Sequence, residues 1–207
     1  MLYTFTMNSP DPVTGAVLAG GRSKRMGADK RLLVLEGRTL LERAVDLLAP
    51  LCDEVLVVAP TPPPIRVGAR YVADRFPGLG LLSGIHAALE ESRGSTVLCI
   101  PVDTPYLDLP WLRLLLGLGR SAGTPVVPLV GGRVHPIPGC YPKSAAAVIG
   151  QTLSRGESSA SQILPRLGTV YVGEEAAEGA GCDPSALLNI NSPEEWRAVA
   201  AAAKPVR

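Results

Sequence analysis

Apolar positions along this chain alternate between two rhythms. Residues 15–19 form a short apolar run cut off by Gly20 and Gly21, which reads as a strand ending in a turn. Leu40, Leu41, Ala44, Val45, Leu47 and Leu48 then recur at helical spacing until Pro50. The next run, 54–59, is rich in Val, as strands covered on both faces are. Strand, loop, helix and strand make one βαβ unit, and the pattern repeats. A Pro-rich turn at 60–64 leads to a strand at 70–73, a helix over 82–92 with Ile85, Ala88 and Leu89 on one face, and a strand over 96–102 that stops at Asp103.

Beyond Pro110 the spacing is less regular. It predicts helices over 111–118, 143–153 and 161–167, and strands over 125–130, 169–172 and 187–190. Gly131, Gly132 and Arg133 make a hairpin turn into a strand over 134–141. Ser192, Pro193, Glu194 and Glu195 read as a helix start: an N-cap, a proline in the first position and two acids in the first turn. This alternation predicts the α/β class, with a mainly parallel, doubly wound, Rossmann-like sheet in three layers and right-handed crossovers. The length of 207 residues suits one domain over 14–203 behind a flexible leader, 1–13, and no linker or repeat divides it.

Composition narrows the class. With 46% hydrophobic and 19% charged residues, the chain has enough apolar material for a core. The 22 Gly and 20 Pro follow no low-complexity period and read as punctuation between elements. Cys52, Cys99, Cys140 and Cys182 stand more than 40 residues apart, so there is no CxxC pair or zinc-knuckle spacing, and buried free thiols are expected. No apolar stretch approaches a membrane span and no signal-like leader is seen, so a cytoplasmic protein is expected. A formal net charge of +1 argues against a surface built for nucleic acid or anionic membrane.

That sum hides an asymmetry. The stretch LAGGRSKRMGADKR over 18–31 carries Arg22, Lys24, Arg25, Lys30 and Arg31 against Asp29 alone, and it follows the first strand directly. Glycines at the carboxyl end of a strand let backbone N–H groups approach an anion, and ligands of doubly wound sheets bind at this end. The alternative is a solvated basic loop. Neither the Walker A spacing nor G-x-G-x-x-G after a strand is present.

Two further acids end strands. In CIPVDTPYL over 99–107, Asp103 closes an apolar strand between prolines; it is either a ligand for Mg²⁺ with substrate phosphates or a turn residue. Asp74 is either a ligand contact or the head of an Asx-turn. In LNINSPEEW over 188–196, Asn189 and Asn191 alternate and so face one side; capping explains the pattern equally well. With only His86 and His135, and no HExxH or G-x-S-x-G, hydrolytic nucleophile machinery has no local signature.

These motifs together resemble the nucleotidyltransferases of the nucleotide-diphospho-sugar transferase type, and among them the molybdenum cofactor guanylyltransferase family. The resemblance covers roughly 14–200 and rests on LAGGxSxRMGxDK, on GLLSGI over 80–85, on Asp103 in its P-x-D-x-P-x-L context and on Asn189 and Asn191 before Ser192 and Pro193. Leu81 stands where the family carries proline, and Val58 where some members carry asparagine.

The resemblance implies a Mg²⁺-dependent transfer of GMP from GTP to the terminal phosphate of molybdopterin, with release of pyrophosphate. Residues 14–108 would bind GTP through Leu18, Ala19, Gly20, Gly21, Arg22, Lys30, Asp74 and Asp103, with Asp103 holding the metal. Arg25, Lys30 and Asp103 would carry catalysis. Residues 109–203 would cradle molybdopterin through Arg133, His135, Asn189 and Asn191, and proteins that supply molybdopterin or receive the product are possible partners. The competing readings are a CTP-dependent relative acting on molybdopterin or on a sugar or polyol phosphate, and a non-catalytic cofactor-delivery module.

Overall fold

The structure, a computed structural model, describes residues 11–20 and 29–203. Its first strand, β1 (Val13–Leu18), is buried along its whole length. Alternate residues point to opposite faces of a strand, and the core divides accordingly. Val13 and Val17 pack on one side of the sheet, with α1 (Leu40–Leu48) and α3 (Leu109–Ala122). Ala16 and Leu18 pack on the other, with α2 (Leu81–Glu91), α4 (Ala145–Ser154) and α5 (Ala160–Arg166). Helices on both faces of one sheet give the three-layer architecture.

Between β1 and α1, a 3₁₀ turn (Lys30–Leu32) precedes the short antiparallel pair β2 (Val34–Leu35) and β3 (Arg38–Thr39). A capping box starts α1: the Glu42 N–H donates to Thr39 Oγ1 at 3.2 Å, and Glu42 Oε2 accepts from the Thr39 N–H at 2.8 Å. The strands β4 (Glu54–Ala59), β5 (Arg70–Ala73) and β6 (Thr96–Pro101) follow. The second half adds β7 (Val126–Val130), β8 (Arg133–Val134), β9 (Gly139–Pro142) and β10 (Val170–Val172), and then α6 (Glu174–Gly179) and α7 (Pro193–Ala202). The sheet order is β10-β7-β9-β6-β1-β4-β5, with β8 paired to β7; β8 and β9 alone run antiparallel to their neighbours.

The first half matches the sequence reading closely, whereas the second half departs from it at three places. The strand expected over 134–141 is two pieces. Pro136 and Pro138 have no N–H to donate to a ladder, so β8 stops after two residues and β9 inserts between β6 and β7. The strand expected over 187–190 is absent. A 3₁₀ turn (Pro184–Leu187) takes its place, followed by extended chain whose Ile190 alone bonds to a neighbour in strand fashion. The helix α6 had no apolar period long enough to announce it.

Helix α3 starts at the Asp108 cap and ends at Gly123, whose φ of 64° is left-handed. It lies close against β9 at Gly119, where a methyl group would stand 2.7 Å from Cys140 Cβ and nearer still to its Sγ. Trp111, fully buried in α3, donates its indole N–H to the Asp183 carbonyl at 2.8 Å and ties the segment after α6 to the sheet's helical layer.

Candidate active site

The parallel strands β1, β4, β5, β6 and β7 all end at one edge of the sheet, and the sequence-predicted residues collect there. Leu18, Ala19 and Gly20 leave the end of β1. The Leu18 side chain is buried against Gly84 of α2, and its carbonyl accepts from the Val102 N–H at 3.3 Å; the Ala19 N–H donates to Val58 at 2.8 Å. Leu18 and Ala19 are therefore fixed by the neighbouring strands, and the exposed Gly20 is the first residue free to turn toward a ligand. Gly21, Arg22 and Arg25 lie outside the described residues.

The chain returns at Asp29, which caps the 3₁₀ turn and binds Arg31 through both carboxylate oxygens at 2.7–3.0 Å. Those hydrogen bonds hold the Asp29 carboxyl below its usual range. Arg31 also donates to the Thr61 carbonyl at 3.0 Å, so it braces the loop onto the end of β4. This leaves Lys30 between them, directed inward.

Lys30 is the point where the halves of the chain meet. Its Nζ donates to Asp103 Oδ2 at 2.7 Å and to the Ile190 carbonyl at 2.6 Å, and the Ile190 N–H in turn donates to the Asp103 carbonyl at 2.8 Å. The Lys30 and Asp103 side chains are only 15% and 18% exposed. Ile190 is buried, whereas Asn189 and Asn191 on either side of it are exposed, so the two amides stand on the outer side of the segment. Sequence reasoning missed Ile190 because its contribution is made by its peptide groups; an apolar residue between two asparagines was the available signal.

Asp74, at the end of β5, does form the Asx-turn: its Oδ1 accepts from the Phe76 N–H at 2.9 Å and also from the Ser83 hydroxyl of α2. Ser83 was not singled out from the sequence, although a buried serine in the first turn of a helix needs a partner. Oδ2 of Asp74 makes no hydrogen bond among the described residues. Val58 is core, with its side chain turned away from this edge into the α2 layer.

The hairpin of β7 and β8 reaches the same edge. The Glu174 carboxylate accepts from the Gly131 N–H at 2.6 Å, and the His135 N–H donates to the Pro128 carbonyl at 2.9 Å. Burial, and then the Arg133 charge, hold the His135 imidazole below its usual range, so it is neutral near pH 7. No hydrogen bond joins Arg133 or His135 to Lys30 or Asp103 among the described residues.

As a metal site this edge offers isolated carboxylates, Asp103 after β6 and Asp74 after β5, rather than a cluster. Among the described residues there is no group of three His, Cys, Asp or Glu that could cage an ion. Such a donor set is compatible with Mg²⁺, which commonly takes one or two carboxylates, several waters and substrate phosphates; Asp103 Oδ2 is taken by Lys30, and Oδ1 makes no hydrogen bond among the described residues. No described helix is long and apolar enough to cross a membrane. The four cysteines are free thiols; burial pushes Cys52 and Cys140 up to about 12, which leaves them poor nucleophiles.

The chain is also similar to known proteins in sequence and fold. Residues 15–170 match the MobA-like NTP transferase domain. The chain is 36% identical to the probable molybdenum cofactor guanylyltransferase of Chloroflexus aggregans, over 91% of this chain and 94% of that one. It is 30% identical to the molybdenum cofactor guanylyltransferase of Desulfosudis oleivorans, over 95% and 98%. Among solved structures, molybdopterin-guanine dinucleotide biosynthesis protein A of Archaeoglobus fulgidus superposes with a TM-score of 0.79 at 25% identity, covering 91% of this chain and 97% of that one.

Proposed function

The chain belongs to the MobA-like NTP transferase family, and from that premise we propose that it transfers GMP from GTP to the terminal phosphate of molybdopterin, forming molybdopterin guanine dinucleotide and pyrophosphate in the cytoplasm. The observation that carries this reading is the Lys30–Asp103 pair at the carboxyl edge, bonded directly to the segment bearing Asn189 and Asn191. It supports a site where a triphosphate and an acceptor meet.

In this reading residues 14–108 hold GTP and 109–203 hold the acceptor. The acceptor phosphate is a dianion for most molecules at pH 7, its second pKa being about 6, so attack needs no general base. An acceptor oxygen forms a bond to the α-phosphorus of GTP while the bond from that phosphorus to the bridging oxygen of the β-phosphate breaks, and pyrophosphate leaves with the electron pair. The protein's task is to align the two phosphates and offset their charge. Lys30 donates to phosphate oxygen, together with the Gly20 amide, and the sequence assigns Gly21, Arg22 and Arg25 to the same anion. Asp74 Oδ2 contacts the nucleotide, and Arg133, His135, Asn189 and Asn191 line the acceptor's place. Mg²⁺, held by Asp103 and the phosphates, would act as Lewis acid and template.

The test is pyrophosphate release by the purified protein with molybdopterin and each nucleoside triphosphate, with and without Mg²⁺. Release with GTP and Mg²⁺ alone is expected. Release with CTP and none with GTP, or binding of GTP without any release, would overturn the assignment.

A further inference from the structure

The segment after the Pro184–Leu187 turn has few ties to the rest of the molecule. Leu188 bonds to Ser185 within its own turn, and the N–H groups of Asn191 and Ser192 donate to Glu195 in the helix that follows. That helix, α7, contains no fully buried residue and packs on the core only through the partly buried Trp196 and Val199. Within 188–191 the residue fixed against the sheet is Ile190, whose side chain is buried and whose two peptide groups each make one bond: its N–H to the Asp103 carbonyl and its carbonyl to Lys30 Nζ.

An ammonium has three N–H donors. Lys30 uses one on Asp103 Oδ2 and one on Ile190, and the third has no partner among the described residues at the edge where β1 ends. We propose that Lys30 is a positioning residue for the acceptor segment as well as a phosphate ligand: it clasps 188–191 to the nucleotide half, so that filling the triphosphate site orders the peptides that carry Asn189 and Asn191. The coupling needs no movement of a domain. A phosphate oxygen on the third donor restricts the ammonium, and a restricted ammonium holds the Ile190 carbonyl more tightly. The compact ammonium suits three convergent acceptors; the planar fork of arginine does not.

The identity of the anion rests on the proposed guanylyl transfer, but the clasp does not, and amide hydrogen exchange separates the two. In the ligand-free protein, Lys30→Met should speed exchange at Ile190 by about tenfold or more while the Val57 and Ile100 amides stay within about twofold, a pattern of local opening. Asp103→Asn, which keeps the Asp103 carbonyl but loses the charge that anchors Lys30, should show the same effect more weakly. GTP with Mg²⁺ and no acceptor should slow Ile190 exchange in the unaltered protein and leave it unchanged in Lys30→Met. Unaltered Ile190 exchange in Lys30→Met would overturn the clasp. So would calorimetric binding of GTP to the unaltered protein that left Ile190 exchange as it was. Should GTP fail to bind at all, the functional reading falls, and the ligand-free comparison still decides the clasp.

Discussion

Replacing Asp103 with alanine removes the carboxylate partner of Lys30 and leaves the ammonium in a site where its side chain is 15% exposed. An exposed ion pair contributes about 0–1 kcal/mol, whereas breaking a fully buried one from a single side costs about 3–5 kcal/mol. This pair lies nearer the buried limit. Lys30 nevertheless keeps the Ile190 carbonyl at 2.6 Å and some access to water, which places the cost at about 2 kcal/mol. For a chain of this size each kcal/mol moves the melting temperature by about 2–4 °C, so Asp103→Ala should melt about 4–8 °C lower. The decisive comparison is a double-mutant cycle. In Lys30→Met/Asp103→Ala no charge is stranded, so the double variant should lose at least about 1 kcal/mol less than the two single losses combined. Urea and thermal unfolding of the four proteins, followed by circular dichroism, measure this. Losses that add within about 0.5 kcal/mol would refute the reasoning, because they would show the pair to be solvated like a surface contact. Pyrophosphate release should be abolished in Asp103→Ala and should stay abolished in the double variant, so stability and catalysis part company.

Two other perturbations test the packing. Gly119→Ala would normally strengthen a helix by about 0.5–1 kcal/mol, but here the added methyl meets Cys140; overpacking should win and cost about 1–2 kcal/mol net, most of it recovered in thermal melts when Cys140→Gly is the background. Burial holds the His86 imidazole below its usual value of 6.5, and its Nδ1 has no partner among the described residues. The folded chain thus refuses a proton that the unfolded chain takes, so stability should fall as pH drops through 6.5 and level off below the folded value. His86→Leu should flatten that slope relative to the unaltered protein in urea titrations between pH 7.5 and 5.5, leaving the part due to His135, which is shifted the same way; an unchanged slope would mean that His86 is solvated.

Much of the first half was legible because its elements are local. The strand Glu54–Ala59 and the helix Leu40–Leu48 are written in apolar spacing, and their partners are other elements of the same βαβ unit. The second half was harder because β9 is defined by what lies beside it. Four residues, Gly139–Pro142, form a central strand only because β6 and β7 flank them, and no periodicity within four residues can say so. The residues 187–190 failed in the opposite sense: their apolar and polar alternation was real, but one pair of bonds to Asp103 and Lys30 is all the ladder they receive.

The sequence by itself determined the α/β class, the basic Gly-rich stretch after the first strand, the strand-ending acids Asp74 and Asp103, and the paired asparagines. These are properties of residue type and spacing, which steric and hydrophobic preferences convert directly into local structure. Only the tertiary structure decided how the charge of that loop is used. Arg31 is bound by Asp29 beside it, while Lys30 is bound by an acid 73 positions away and by a carbonyl 160 positions away. A count of charges along the chain cannot distinguish a cation held by a neighbour from one that joins two halves of a site. That difference arises from the parallel order of β1 and β6, which brings their carboxyl ends together, and from the low exposure that makes a paired ammonium worth keeping there.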